Sequence, residues 1–364
     1  MDQNILEIEL FNQKIQSPFI LGSGTLVERY EQIQPYLDAG IGMVIPRTTR
    51  KTMDRKIHPV PHLYQAGTRK YPLMINSEWT GADIEYWRPF LAELAGKGSV
   101  VMSISGRDID DCVEVCQQLD QYPGWSFYEI NVSCAHSNSV HGMITRDKNH
   151  VQSLVTRLKQ ARIKTPIALK FGHSDQIVEL CCIAEQAGAD AVVLLNTYGP
   201  VFDFTIAEDG RPEPVVGIKG GKGGLSGAPL FHIALTDIAM VRRAINIPII
   251  GCGGVCNAID AVKMLMAGAS AVQVYSAAHA LGVNAPHFFT KLNNELIKFM
   301  QKHSISNLNS IIGTAQSILD RETTLEVDVP EVDTSTCIGC DLCVPVCLPE
   351  AISIKTESGI NKVG

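Results

Sequence analysis

The chain has 364 residues, 45% hydrophobic and 19% charged, with 30 glycines, which suits one large globular domain plus a small appendage. A net charge of −7 gives no attraction for a polyanion such as nucleic acid, and no run of eighteen apolar residues suggests a membrane span. Eleven cysteines, an odd number, and an opening Met1-Asp2-Gln3-Asn4 without a signal pattern favour a reducing cytoplasm over a disulfide scaffold.

In chain order, Ile5–Leu10 and Lys14–Gln16 flank Asn12 and predict a hairpin that plugs a barrel base. Short β-rich apolar runs follow at Phe19–Gly22, Gly42–Pro46, Ser99–Ile104, Ser126–Asn131, Pro166–Lys170, Ala191–Asn196, Pro248–Gly251 and Ala271–Tyr275, separated by longer helical patterns. Strand–helix alternation implies parallel strands, and eight such units are the size of a (β/α)8 TIM barrel of the α/β class. Asp38-Ala39-Gly40-Ile41, Gln186-Ala187-Gly188-Ala189 and Met266-Ala267-Gly268-Ala269 repeat just before strands, each glycine suited to a left-handed helix end. Asn257 is placed to cap a helix with Ile259, Val262, Leu265 and Met266 on its apolar face. A doubly wound sheet is disfavoured because no strand–helix turn reads Gly-x-Gly-x-x-Gly. The expected domains are a barrel over 1–319, a charged linker over 320–331 and a tail over 332–364. Cys112, Cys116, Cys181 and Cys182 fall in helical patterns and read as core packing.

Function in such barrels sits at the C-terminal strand ends. Those ends carry Ser23-Gly24-Thr25, Arg47-Thr48-Thr49, Ser103, Asn131-Val-Ser133-Cys134, Lys170, Asn196-Thr197, Gly253-Gly254 and Tyr275-Ser276, all small, polar or reactive. Glycines after the seventh strand, with Tyr275-Ser276 after the eighth, suit a phosphate, because backbone N–H groups can approach an anion there. In the tail, Cys337, Cys340, Cys343 and Cys347 are followed closely by Pro349, the spacing of a bacterial ferredoxin iron–sulfur site. A zinc knot and a disulfide cluster are the competing readings of that run. Beside such a cluster, flavin mononucleotide (FMN) is the natural phosphate-bearing guest, since a flavin joins one-electron traffic to hydride chemistry.

Asn131-Val-Ser-Cys134-Ala-His136, Asn196-Thr197, Val216-Gly-Ile218 with Gly223-Gly224-Leu-Ser226-Gly227, Gly253-Gly254 and the tail cysteines together carry a resemblance. Over about residues 5–300 the chain resembles the FMN-dependent dihydroorotate dehydrogenase family, and most of all the pyrimidine-reducing, FMN-barrel part of dihydropyrimidine dehydrogenases. The resemblance implies that Cys134 is the catalytic acid/base and that Asn76, Asn131, Ser133, His136, Asn196 and Thr197 bind the pyrimidine. It implies an FMN site formed by Ser23, Gly24, Arg47, Thr48, Lys170, Gly223, Gly224, Gly253, Gly254, Tyr275 and Ser276. It also implies one 4Fe-4S cluster on Cys337, Cys340, Cys343 and Cys347. The side-chain chemistry agrees: asparagine offers donor and acceptor side by side, as an imide edge does, and a thiol of ordinary pKa keeps its proton at neutral pH.

The chain departs from the family pattern in several places. Arg47 stands where a lysine is usual, Ala135 replaces the proline after the cysteine, the loop Ser137–Asp147 departs from the family's glycine-rich version, and the tail has one cysteine run where pyrimidine-reducing relatives usually carry two. His136 stands where orotate-using relatives have asparagine and uracil-reducing relatives have histidine. The expected reaction is therefore reduction of the C5=C6 bond of uracil or thymine, with a hydride from FMN and a proton from Cys134. With no dinucleotide fingerprint, electrons would come from a separate NAD(P)H-oxidising or ferredoxin-type partner, in a homo- or hetero-oligomer. Alternatives are a dihydroorotate dehydrogenase, a reductase of another cyclic enone or amide, and a non-catalytic electron relay.

Overall fold

The computed structural model describes residues 3–52, 63–68, 71–76, 82–133, 147–214, 222–321, 333, 335–347, 352–357 and 360–363, with backbone alone for 3–4, 63–68, 71–76, 214, 222, 355–357 and 360–363. The chain divides into two compact units, Met1–Leu319 and Asp320–Gly364.

The first unit is built on eight parallel strands: β1 (Phe19–Leu21), β2 (Met43–Val44), β3 (Met102–Ile104), β4 (Tyr128–Asn131), β5 (Ile167–Phe171), β6 (Ala191–Leu194), β7 (Ile249–Cys252) and β8 (Ala271–Val274). Neighbours in sequence pair in space from β3 round to β2, and β8 pairs with β1. The ring closes between β2 and the start of β3: Val44 N donates to Ser99 O at 2.9 Å and Val101 N to Val44 O at 3.0 Å. Each expected strand lies where its apolar run was; most are trimmed at the ends, while β5 and β7 begin and end one residue later than expected. These runs are unbroken because both faces of a parallel barrel strand are covered, one by the interior and one by helices. Phe19, Ile20, Leu21, Ile130, Leu169, Phe171, Val192 and Ile250 are all fully shielded, each such side chain contributing about 1.5–3 kcal/mol.

The helices start on side-chain caps. Asp108, Asp147 and Asn257 accept from Asp111 N, His150 N and Asp260 N at 2.8, 3.1 and 3.0 Å, relieving the unpaired N–H groups of a first turn. On the helix Lys148–Gln160, Val151, Leu154, Val155 and Leu158 bury one face, the spacing of an amphipathic helix. The Asn257-capped helix Ala258–Ala267 buries Ala258, Ala261, Val262, Met264 and Leu265. Ile259, expected on that face, is exposed; the buried face includes the small residues Ala258, Ala261 and Ala267 instead. Gly40, Gly188 and Gly268 have φ of 78°, 101° and 123°, so all three repeats end in a conformation that favours glycine. Cys112, Cys116 and Cys181 are buried, and Cys182 is half-buried.

The expected hairpin is present, Ile8–Leu10 antiparallel to Gln13–Ile15. Its turn residues Phe11 and Asn12 have φ of 53° and 59°. Phe11 packs on Phe127, with ring centres 5.2 Å apart, and Gln13 Oε1 accepts from Ser126 Oγ at 2.6 Å. Both partners immediately precede β4, so the hairpin closes the N-terminal end of the barrel.

The opposite end carries an antiparallel sheet that the sequence reading did not anticipate. Its order is Tyr198–Phe202, Lys222–Gly227, Tyr71–Asn76, Leu63–Thr68. In the second unit, Ile354–Glu357 pairs antiparallel with Ile360–Val363. The linker expected at 320–331 falls almost wholly outside the described residues. Among those described, no helix is long and apolar enough to cross a membrane.

Candidate active site

The ends of β4, β5 and β6 converge. Asn131, the last residue of β4, pairs in register with Lys170 of β5. Asn131 Oδ1 accepts from Ser133 N at 3.2 Å and from Asn196 Nδ2 at 3.0 Å. Asn196 Nδ2 also donates to Ser133 Oγ at 2.8 Å, and Asn196 Oδ1 accepts from Thr197 N at 2.9 Å. Ser133 Oγ donates to Lys170 O at 3.3 Å. A carboxamide has two donors and two acceptor lone pairs. Asn196 has therefore spent both donors but keeps a lone pair, while Asn131 keeps both amide hydrogens unspent among the described residues. One donor group and one acceptor lone pair are thus left unspent on two linked amides, the kinds of group an imide edge can pair with. Gly172 lies directly behind: a Cβ there would sit 3.3 Å from Ser133 Cβ and 3.6 Å from Thr197 O.

The chain runs from Ser133 straight to Cys134, which with His136 lies outside the described residues. The backbone of Asn76 pairs with Gly224 in the antiparallel sheet, and Gly223 pairs with Val201. Gly223 and Gly224 thus belong to a strand. A Cβ on Gly224 would fall 2.6 Å from Thr197 Oγ1, so the missing side chain lets the sheet close onto the end of β6.

Inside the barrel, Lys170 Nζ donates to Gln273 Oε1 at 2.8 Å and lies 3.4 Å from Glu129 Oε1. Gln273 Nε2 donates to Glu129 Oε2 at 2.6 Å. Lys170, Glu129 and Gln273 are 4%, 0% and 1% exposed. Burial alone would push the Lys170 ammonium down; the Glu129 carboxylate, with Cys252 and the hydrogen bond to Glu129 adding to it, holds it above its ordinary value. The Cys252 thiol is itself pushed up by burial, against the pull of Lys170.

The remaining strand ends join less directly. Ser23 Oγ lies 3.2 Å from Thr48 Oγ1, which lies 3.0 Å from Ser103 Oγ, a hydroxyl chain across the ends of β1, β2 and β3. Arg47 is buried and reaches Glu28 at 3.6 Å. Tyr275 shares a 2.7 Å hydrogen bond with Thr25. Its ring covers Gly24, where a Cβ would stand 2.2 Å away. Ser276 Oγ meets Ser226 Oγ at 3.3 Å. After β7, Gly253 and Gly254 have φ of 120° and 75°, and among the described residues neither N–H has a backbone partner.

Cys337, Cys340, Cys343 and Cys347 are all described, and Cys340 is exposed. No group of three or more His, Cys, Asp or Glu side chains among the described residues is gathered as a metal site. The expected 4Fe-4S site is therefore not supported among the described residues, although the spacing of these cysteines along the chain is that of a ferredoxin.

Sequence reasoning missed Glu129 and Gln273. The signal was a polar residue set inside each of the strands Tyr128-Glu-Ile-Asn131 and Ala271-Val-Gln-Val274, where a strand covered on both faces must pair any charge it carries. It also missed His173, just past β5, whose Nδ1 lies 3.0 Å from the buried Asp237 carboxylate.

Comparison with known proteins agrees with this geometry. A family model described as dihydroorotate dehydrogenase matches residues 5–300. The catalytic subunit of dihydroorotate dehydrogenase B (NAD(+)) from Pyrococcus horikoshii is 29% identical, over 87% of this chain and 100% of its own. A putative dihydroorotate dehydrogenase A (fumarate) from Solibacter usitatus is 32% identical over 82% of this chain and 95% of its own. The crystal structure of the Eimeria tenella dihydroorotate dehydrogenase in complex with ferulenol shares the fold, with a TM-score of 0.69 at 20% identity, covering 85% of this chain and 88% of that one. The special closeness to dihydropyrimidine dehydrogenase expected from the sequence is not seen in these relatives, which carry dihydroorotate dehydrogenase names. The match over most of the barrel means that the chain belongs to the dihydroorotate dehydrogenase family, for which FMN is the expected cofactor, and is an oxidoreductase acting on CH–CH groups.

Proposed function

We propose that the chain is an FMN-dependent oxidoreductase of the C5–C6 bond of a pyrimidine ring, with dihydroorotate and orotate as its substrate pair. The observation that carries the ring assignment is the Asn131–Ser133–Asn196 cluster with its spare donor and spare acceptor. The names of the relatives support orotate over other pyrimidines.

The residues present suit FMN. Gly253 and Gly254 offer N–H groups with no backbone partner among the described residues, at a turn that a Cβ on Gly254 would obstruct, 2.5 Å from Phe231 N. Such a turn suits the phosphate. Lys170 has three N–H donors, of which Gln273 and Glu129 take two among the described residues, leaving one for the ring. Ser23, Thr48 and Ser103 supply hydroxyls on the facing side. When bound, FMN accepts or supplies the hydride at one carbon of the C5–C6 bond. The chain's part is then to hold the ring by its imide edge through Asn131 and Asn196, and to take or give the proton at the other carbon through the Cys134 thiol. No step is assigned to an iron–sulfur cluster. The spacing of Cys337, Cys340, Cys343 and Cys347 is its one support, and iron and acid-labile sulfide in anaerobically purified protein measure it. The Pyrococcus relative is named a catalytic subunit, which supports a separate NAD(P)H-oxidising or ferredoxin-type partner here.

A second reading is reduction of uracil or thymine. It is favoured by His136 in place of the asparagine of orotate-using relatives and by the uncharged Asn131, Ser133, Asn196 and Thr197. Anaerobic mixing with dihydroorotate and with dihydrouracil separates the two. Bleaching of the flavin by dihydroorotate is expected; bleaching by dihydrouracil alone moves the assignment to neutral pyrimidines, and bleaching by neither removes both.

A further inference from the structure

We infer that Glu129 and Gln273 are positioning residues that set the charge Lys170 presents to the flavin, holding its ammonium by two N–H groups and cancelling its charge. The inference rests on the FMN reading above and goes beyond it. β4, β5 and β8 each contribute one polar side chain to this buried set, and β8 stands opposite β4 in the ring. The network is directional. The carbonyl of Gln273 accepts from the ammonium while its amide donates to Glu129, and no ionised carboxylate or apolar side chain does both. With Glu129 at 3.4 Å the set is electroneutral.

Stability is a poor reason for such a set, because apolar side chains of similar size usually serve a buried core as well as an ion pair or better. Buried charges whose protonation is shifted by a specific partner concentrate at functional sites, and this set adjoins Asn131 through the β4–β5 register. Among the described residues the third N–H of Lys170 is the unspent one. The charge behind it decides how strongly the ring's reduced, more negative form is favoured.

The test uses the full chain and two variants, Glu129→Gln and Gln273→Leu, with FMN affinity by fluorescence and the two-electron midpoint potential as readouts. Potentials are taken from pH 6 to pH 9, so that loss of the Lys170 proton shows as a change of slope. Glu129→Gln leaves the ammonium uncancelled and should favour reduced flavin at least tenfold at pH 6, a rise of about 30 mV. Gln273→Leu removes the amide that shares Glu129 with Lys170, so the carboxylate cancels the ammonium more fully and the potential should fall. If one variant does not fold, the sign of the other decides. A merely structural network predicts lower stability with unmoved potentials. Potentials equal to the parent's in FMN-loaded variants overturn the inference alone; a parent that binds no FMN overturns the flavin reading and the inference with it.

Discussion

Asn196 holds the site together before any ligand arrives. Its amide ties Asn131 to Ser133 across the ends of β4 and β6. Asn196→Ala removes a ligand acceptor and leaves Asn131 misaligned. Losing a partner from a buried polar group costs about 1–3 kcal/mol, so pyrimidine binding should weaken about 5- to 150-fold with FMN retained. Titration of the flavin spectrum with orotate measures this, and equal affinity would put Asn196 outside the pocket. For Cys134, carried directly from Ser133, Cys134→Ala should lose at least about 10²-fold in turnover while keeping FMN, the low end for a general acid or base. Unchanged turnover would pass the proton-transfer role to another group. These residues were legible because strand ends could be counted along the chain. Their hydrogen bonds were not, because a sequence does not say which of an amide's four valences are already spent.

At the scale of elements, the turn after β7 is the most constrained feature of the rim. Gly254 has φ +75°, and a Cβ on it would stand 2.5 Å from Phe231 N. Strain and collision then act together, and Gly254→Ala should cost about 1–3 kcal/mol while weakening FMN binding. Urea unfolding and flavin fluorescence read the two effects; an unaltered midpoint and affinity would show that the turn relaxes freely. The glycine pair was visible in sequence because a turn following a strand needs positive φ. The antiparallel sheet over the rim was not. Its strand Lys222-Gly-Gly-Leu-Ser-Gly227 lacks the alternation of a half-buried strand, and pairing with distant backbone, not propensity, makes it one. Ile259 failed for the converse reason: its pattern fits a helix face, but the buried face includes the small residues Ala258, Ala261 and Ala267 instead.

At the scale of the whole molecule, the division at Leu319 makes a further expectation. Asn131, Lys170, Asn196, Gly253 and Gly254 all precede it, as do all eight barrel strands. A chain ending at Leu319 should remain folded, hold FMN and be reduced by substrate at the full-length rate. Circular dichroism, flavin content and stopped-flow reduction check this. Loss of flavin or precipitation would make the tail part of the barrel's own stability.

The sequence by itself determined the barrel and the positions of its reactive ends. A strand covered on both faces must be a short, nearly unbroken apolar run, and eight such runs alternating with helices leave few other architectures. It also determined the helix caps and the glycines that end helices, since those are local requirements of an unpaired N–H or a positive φ. Only the tertiary structure decided which polar groups meet. Asn131 and Asn196 are 65 residues apart, and Glu129 and Gln273 are 144 apart. The register of parallel strands and the closing of the ring bring each pair within hydrogen-bond reach. The cysteines of the tail show the limit in the other direction: their spacing is a local pattern, but whether four thiols converge depends on the path of the chain between them.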